Sequence, residues 1–398
     1  MSKLRQYLKM TAQNAVLPFW YRLFAHGRVP EGTVLFADAH HDIRPQNMDL
    51  LWHTMNKEPG LDISEMYLDF AKASFLKTLF FSLRFMRKYA KVQTVILCDN
   101  FLPAASCKAR KETSVVQLWH ACGALKKFGY DTEDDIPSSY HGHVFRNTKL
   151  VTVSSPACIE PFASAMRLEP ECVQAIGVSR TDIYFRKKWR MAVQEKFYRF
   201  YPEARGKRVV TAAPTFRGKA GSPQDYDLDA GALQESLGSD YFVLVSLHPH
   251  MRSSSRSRFR ISAMPTAELY PVTDVLISDY SSLIYEYLLF AKPLILYVPD
   301  RREYEDTRGF YTDLSEIPCI MAENEQELPD RVREAYHLYH EDAGEVTDGE
   351  TEEALGRMEL RRTEFIKKYM GSCDGHSTRR IFEKIIPAAR AEIFTKAQ

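Results

Sequence analysis

No stretch of the 398 residues approaches the roughly 20 continuous apolar residues that a membrane-spanning helix needs. Net charge is nearly absent as well. At +1 the chain has no overall field to draw it to DNA or RNA, so nucleic acid is not an expected partner. Cysteine is sparse, at Cys98, Cys107, Cys122, Cys158, Cys172, Cys319 and Cys373. The count is odd, no CxxC occurs and no apolar signal segment precedes them, which reads as reduced thiols in a cytosolic setting. Without paired ligand spacing a zinc site is not expected, and no metal or other cofactor is called for. There is no GxGxxG after a strand, no GxxxxGK[ST] and no GxSxG, so dehydrogenase, NTPase and ordinary α/β-hydrolase readings lose their main support. Internal repeats and low-complexity segments are missing too.

What the chain does contain is globular composition, 45% hydrophobic and 26% charged, at a length that allows two cored domains. From about residue 32, short β-branched runs alternate with longer helical ones. "GTVLFADAH", "VQTVILCDN", "SVVQLWHA", "LVTVSS" and "CVQAIGVSRTD" read as strands, and "MDLLWHTMNK" as a helix. A second series follows in "RVVTAAPTFRG", "DYFVLVSLHPH", "TDVLISDYSS" and "KPLILYVPD". Nearly continuous apolar runs of this kind fit parallel strands buried on both faces. The charged stretch from Arg186 to Lys207 carries few strand signals and is expected to link two domains. The expected fold class is therefore α/β, with two Rossmann-like lobes facing a central cleft and C-terminal helices. The boundaries fall at 1–28 for an amphipathic N-terminus, 29–190 for the first lobe, 205–345 for the second and 350–398 for a helical end.

In such sheets ligands bind beyond the carboxyl ends of the strands, and that is where the polar clusters lie. His120 ends "VVQLWH"; a lone histidine at a strand end is more often structural than functional. His248 ends "YFVLVSL" in the same way, with Pro249 stopping the strand and His250 beside it. Arg217 falls in a turn after a strand that ends at Pro214; its guanidinium suits bidentate phosphate recognition, or it is a solvated surface group. Asp279, Tyr280, Ser281 and Ser282 follow the strand Val275–Ser278 and precede a helix starting near Leu283. Serine there can be a plain N-cap, or the helix start can hold phosphate. Arg308 and Gly309 add a cation and a closely approachable backbone. Histidines, arginines and serines gathered this way point to an anionic ligand.

In this order, "QLWHACGALKKFGYD", "GVSRTD", "APTFRG", "LHPH", "ISDYSSLIYEY" and "RGFY" resemble the CDP-glycerol glycerophosphotransferase family, which includes teichoic acid primases and polymerases. The resemblance runs from about Leu97 to Leu328. It implies a GT-B type fold and a bacterial peripheral membrane enzyme at the cytoplasmic face of the cell membrane. It also implies transfer of glycerol phosphate or ribitol phosphate from CDP-glycerol or CDP-ribitol to a hydroxyl of a lipid-linked glycan acceptor, with release of CMP. His120 would be the general base, since imidazole titrates in the right range. His248 would share the catalytic site. Arg217, Ser281, Ser282, Arg308 and Gly309 would meet phosphate, with Asp279 orienting its loop. Lys126 and Lys127 would meet the acceptor's pyrophosphate, or form a solvated pair. One departure stands out: many members read His-Gly-Thr-Pro where this chain has His120-Ala121-Cys122-Gly123.

Two rivals remain open, a GT-B nucleotide-sugar glycosyltransferase and a catalytically inactive scaffold of a wall-polymer complex; a homo-oligomer is compatible with either. Contact with the membrane surface has two candidate segments. One is the N-terminus, with Lys3, Leu4, Arg5, Tyr7, Leu8 and Lys9 followed by Leu17, Phe19, Trp20, Tyr21, Leu23 and Phe24. The other is "FLKTLFFSLRFMRKYAK", with Phe75, Leu79, Leu83 and Met86 along one face and Lys77, Arg84, Arg87 and Lys88 available to anionic lipid. For each, a helix packed on the protein's own core is the alternative.

Overall fold

The structure is a computed structural model that describes residues 10–138, 140, 142–215, 217–219, 222–224, 228–247, 259–339 and 349–386; at 217–219, 222–224 and 349–351 it describes the backbone alone. By its internal contacts the chain divides into two units. The first comprises Met1–His120, Gly129–Phe185 and Gly371–Gln398, the second Ala121–Phe128 and Arg186–Met370.

The first unit is built on six parallel strands in the order β2-β1-β3-β4-β5-β6. These are β1 (Thr33–Asp38), β2 (Asp62–Tyr67), β3 (Thr94–Leu97), β4 (Ser114–Gln117), β5 (Thr148–Thr152) and β6 (Val173–Gln174). Val34, Leu35, Phe36, Val95 and Ile96 are all buried, as expected of a parallel sheet covered on both sides. The register places the functional edge. Phe36 pairs with Ile96 and Leu97 with Gln117, so Asp38, Asp99 and His120 leave β1, β3 and β4 at the same edge of the sheet.

The N-terminal helix Leu17–Phe24 and the helix Phe75–Tyr89 pack in this unit's core through Leu17, Tyr21, Phe85, Met86 and Tyr89. Trp20 Nε1 donates to the Leu83 carbonyl at 3.0 Å. The second helix begins at Ser74, whose hydroxyl accepts from Lys77 N. Its buried face runs through Ser82, Phe85, Met86 and Tyr89, so Met86, expected beside Phe75, Leu79 and Leu83 on the face offered to lipid, lies in the core instead. Leu76 and Phe80 are left outward, 63% and 65% exposed. Residues 1–9 of the N-terminal candidate lie outside the described residues.

The second unit carries a parallel sheet in the order β10-β7-β11-β12-β13 and a two-stranded antiparallel pair β8-β9. The strands are β7 (Arg208–Ala213), β8 (Arg217–Lys219), β9 (Ser222–Gln224), β10 (Tyr241–Val245), β11 (Val275–Ser278), β12 (Leu294–Tyr297) and β13 (Ile320–Ala322). The stretch expected to act as a linker is mostly a helix, Lys187–Phe200, and it belongs to this unit's core. Val193 and Phe197 pack with Val209, Phe242 and Leu244. Two large apolar side chains buried at about 1.5–3 kcal/mol each outweigh the helix's polar composition.

The C-terminal helical segment is shared. Helix Gly349–Met370 groups with the second unit and helix Ser377–Ile385 with the first. The latter starts where both oxygens of buried Asp182 accept from Ser377 N and Thr378 N at 3.0 and 2.7 Å, which satisfies its first free amides. Asp182 of "GVSRTD" thus caps a helix some 190 residues away in sequence. No helix among the described residues is long and apolar enough to cross a membrane.

Candidate active site

In the first unit, three strand ends deliver an acid–histidine array. His120 Nδ1 lies 3.0 Å from Asp99 Oδ2, and His40 Nε2 lies 3.7 Å from the other oxygen. Asn100 N donates to Oδ1 at 2.6 Å. Burial pushes the Asp99 carboxyl up, but the charge and hydrogen bond of His120, the charge of His40 and the Asn100 amide together overcome it and hold it at about 2. It is therefore an anion throughout the physiological range. Beside it, buried Asp38 accepts from His41 Nδ1 at 2.8 Å, from His40 N at 2.8 Å and from Cys98 Sγ at 3.3 Å. Burial works against ionisation of Asp38 too, but the hydrogen bonds and charges of His41 and His40 lower its pKa overall; the Asp38 hydrogen bond in turn raises that of His41.

The backbone beneath His120 is held unusually. Trp119 has φ +56°, a left-handed conformation costing roughly 1–2 kcal/mol for a residue with a side chain. It is over-determined by its surroundings. Asn47 Nδ2 donates to the Trp119 carbonyl at 3.2 Å, and Arg180 Nη1 donates to the His120 carbonyl at 2.7 Å and to Asn47 Oδ1 at 2.6 Å. The buried Trp119 ring lies 4.4 Å from the His120 ring and packs on Phe145 and Phe162. His120 itself is half-exposed, and among the described residues no group takes its Nε2. The imidazole is thus fixed on one nitrogen and open on the other.

In the second unit, the polar motifs converge on the ends of β7 and β11. Ala213 pairs with Ser278, and the fully buried Asp279 carboxylate receives Thr215 N at 3.0 and 3.1 Å and Thr215 Oγ1 at 2.8 Å. That carboxylate ties the "APTFRG" segment to the "DYSS" loop. Arg217, expected in a turn, instead begins β8, paired with Gln224; its side chain lies outside the described residues, as do His248, Pro249 and His250. Ser281 and Ser282 are partly exposed. Ser281 Oγ accepts from Leu283 N at 3.4 Å, and Ser282 precedes helix Leu283–Tyr287 without a side-chain cap bond.

The loop Ala121–Phe128 and the "RGFY" segment form one small ladder. Lys126 bridges Phe310, Lys127 N donates to the Gly309 carbonyl at 3.1 Å, and Arg308 Nε donates to the Lys127 carbonyl at 3.2 Å. Lys126 Nζ reaches the Tyr304 hydroxyl at 3.4 Å. Tyr304 stacks on Tyr280 at 4.0 Å, which joins this ladder to the "DYSS" loop. Lys126 and Lys127, about 180 residues from Arg308 and Gly309 in sequence, thereby share one patch with them, with three cationic side chains suited to phosphate. Gly309 has φ +73°, and a Cβ there would sit 3.3 Å from Lys127 Cδ. No group of three or more His, Cys, Asp or Glu residues with metal-holding geometry occurs among the described residues.

Reading strand ends for cations passes over Asp99, Asp38, His40, His41, Asn47 and Arg180. "CDN" and "DAHHD" follow apolar strands as directly as "WH" does, so that position was the available signal.

Comparison with known proteins defines the class, that of CDP-alditol phosphotransferases. Residues 20–387 match the family model described as CDP-glycerol:poly(glycerophosphate) glycerophosphotransferase, and the chain belongs to that family. A teichoic acid ribitol-phosphate primase of Bacillus spizizenii is 34% identical over 71% of this chain and 77% of its own length. A teichoic acid poly(ribitol-phosphate) polymerase of the same organism is 34% identical over 62% of this chain, but this chain spans only 42% of that longer protein. Among solved structures, the wall teichoic acid polymerase TagF matches with a TM-score of 0.72 at 16% identity, covering 98% of this chain and 100% of that one. That likeness shows a shared α/β fold.

Proposed function

We propose that this chain transfers ribitol phosphate from CDP-ribitol to a hydroxyl of a lipid-linked acceptor in teichoic acid synthesis, with CMP as the leaving group. The observation that carries the reading is the anchored imidazole: His120 presents Nε2 from a strand end while Asp99 occupies Nδ1. An acceptor alcohol is a weak nucleophile at neutral pH, and a neutral imidazole at that edge can take its proton as the oxygen attacks the β-phosphorus. The "DYSS" loop and Arg308 supply hydroxyls and a cation for the donor's pyrophosphate, where neutralising charge is the larger part of the catalysis, and Lys126 and Lys127 beside Arg308 are available to the acceptor's pyrophosphate. This reading adopts the GT-B organisation that the family resemblance implies, one unit serving the acceptor and the other the donor.

Ribitol is favoured over glycerol by the relatives. The B. spizizenii ribitol-phosphate primase aligns at 34% identity, and the glycerol-phosphate primase of the same organism at 28%. The test is a donor panel of CDP-ribitol, CDP-glycerol and UDP-sugars on a defined lipid-linked acceptor, with products resolved by mass. CMP release with a mass gain of one ribitol phosphate is expected. Preferential use of CDP-glycerol corrects the donor, and UDP release from a UDP-sugar contradicts the reaction class.

The same reading places the enzyme at the cytoplasmic face of the cell membrane, where a lipid-linked acceptor must be met. Its support is apolar side chains turned outward on two helices. Phe19 and Leu23 are 62% and 47% exposed, and Leu76 and Phe80 are more exposed still; Lys77, Arg84, Arg87 and Lys88 are also at the surface. Because Leu17 and Tyr21 are core residues, point changes test this better than deletion of the helix. Phe19→Glu with Phe80→Glu should strongly reduce sedimentation with vesicles containing phosphatidylglycerol. Added salt should weaken wild-type binding, since each basic residue near an anionic surface contributes about 1 kcal/mol. Undiminished sedimentation of the folded double variant would contradict this placement.

A further inference from the structure

We infer that Asp99 is a positioning residue for His120, selecting the imidazole tautomer and orientation in which Nε2 faces the acceptor hydroxyl. The inference rests on the proposed role of His120 and deepens it.

The geometry allows one arrangement. An ionised carboxylate only accepts hydrogen bonds, so with Oδ2 3.0 Å away the proton of the neutral ring belongs on Nδ1. Nε2 then carries the lone pair. Asp99 is itself held from its other side, by Asn100 N on Oδ1 at 2.6 Å and by His40 Nε2 at 3.7 Å. Its carbonyl accepts from the side chain of Gln117 at 2.9 Å, and the same side chain accepts from Trp119 N at 3.2 Å. The carboxylate on β3's end and the imidazole on β4's end are thus locked through one glutamine. A rotating carboxylate would not select a tautomer; this one has both oxygens engaged.

Once His120 takes the acceptor proton it becomes a cation facing an anion, and Asp99 stabilises that state. Other charged and titratable groups also face the pair. His40 shares Asp99; His41 and Asp38 form the neighbouring couple; Cys98 Sγ donates to Asp38 and also feels the charge of Asp99. Arg180 bonds the His120 carbonyl, and Asp69 acts on His41. Asp99 is the group that touches the ring nitrogen.

The tautomer can be read without substrate. In protein labelled with 15N-histidine, long-range proton–nitrogen spectra, with His120 assigned by its loss in His120→Gln, should show the neutral ring protonated at Nδ1. Asp99→Asn should lose that preference. Its kcat should fall on the order of 10²–10⁴-fold, the range for a misplaced or lost general base, with KM for CDP-ribitol little changed. Asp99→Glu should recover part of the rate. Wild-type His120 protonated at Nε2 would overturn the inference, and so would Asp99→Asn with an unchanged His120 tautomer and wild-type kcat. If no CDP-alditol is turned over at all, the proposed function fails, while the spectra still decide the role of Asp99.

Discussion

His120→Ala is expected to lower the transfer rate by about 10²–10⁴-fold, the usual loss when a general base is removed, with CDP-ribitol binding largely unchanged. The separation follows from where the groups lie. His120 stands at the end of β4 in the first unit, with its free nitrogen directed away from Asp99. The groups suited to the donor's phosphates, Ser281, Ser282 and Arg308, belong to the second unit. A base acts on the acceptor, so its loss should appear in kcat with acceptor present and leave the donor titration intact. Calorimetric titration of CDP-ribitol and single-turnover kinetics measure the two separately. Activity within twofold of wild type, well short of the roughly 10²-fold minimum, would remove His120 from the mechanism.

Gly123→Ala is expected to be the most disruptive conservative change in the second unit. Gly123 has φ +63°, and a Cβ there would lie 2.4 Å from the Tyr285 ring. That ring cannot yield easily: it is fully buried, stacked on Phe365 at 5.2 Å, and hydrogen-bonded to Thr312 at 2.9 Å. Left-handed backbone costs about 1–2 kcal/mol for a residue with a Cβ, and overpacking adds typically about 1–3 kcal/mol. A loss of roughly 2–5 kcal/mol should lower the urea midpoint of this unit at unchanged slope. Thr312 also donates to the Ala124 carbonyl at 2.7 Å, so displacing Tyr285 should loosen the loop whose Lys127 carbonyl holds Arg308 and weaken donor binding. An unchanged midpoint would show that the loop has room the geometry denies. This glycine lies within the tetrad that departs from the family's His-Gly-Thr-Pro, which gives the departure a packing consequence.

Most strands were readable because each is a short apolar run ended by a polar group, and a parallel sheet buried on both faces leaves that mark on sequence. The edge where chemistry gathers was readable for the same reason. Asp99 was not singled out because its role depends on register: only the pairing of Leu97 with Gln117 brings its carboxylate to the His120 ring. Arg180 and Asn47 are further cases, joined to the His120 and Trp119 carbonyls from 60 and 72 residues away. The helix Lys187–Phe200 was read as a linker because its charged residues hide two core positions, Val193 and Phe197. The division of the C-terminal segment after Met370 has no compositional signal, since it rests on Asp182 capping Ser377 from far along the chain.

The central claim is attack by an acceptor oxygen on phosphorus, and isotope transfer tests it most directly. A defined acceptor carrying 18O at its terminal hydroxyl should, with CDP-ribitol, give a phosphodiester whose 31P resonance shows the isotope shift, together with an equal amount of unlabelled CMP. A product with no phosphodiester resonance, or one whose new phosphorus–oxygen bond lacks the label, would contradict it.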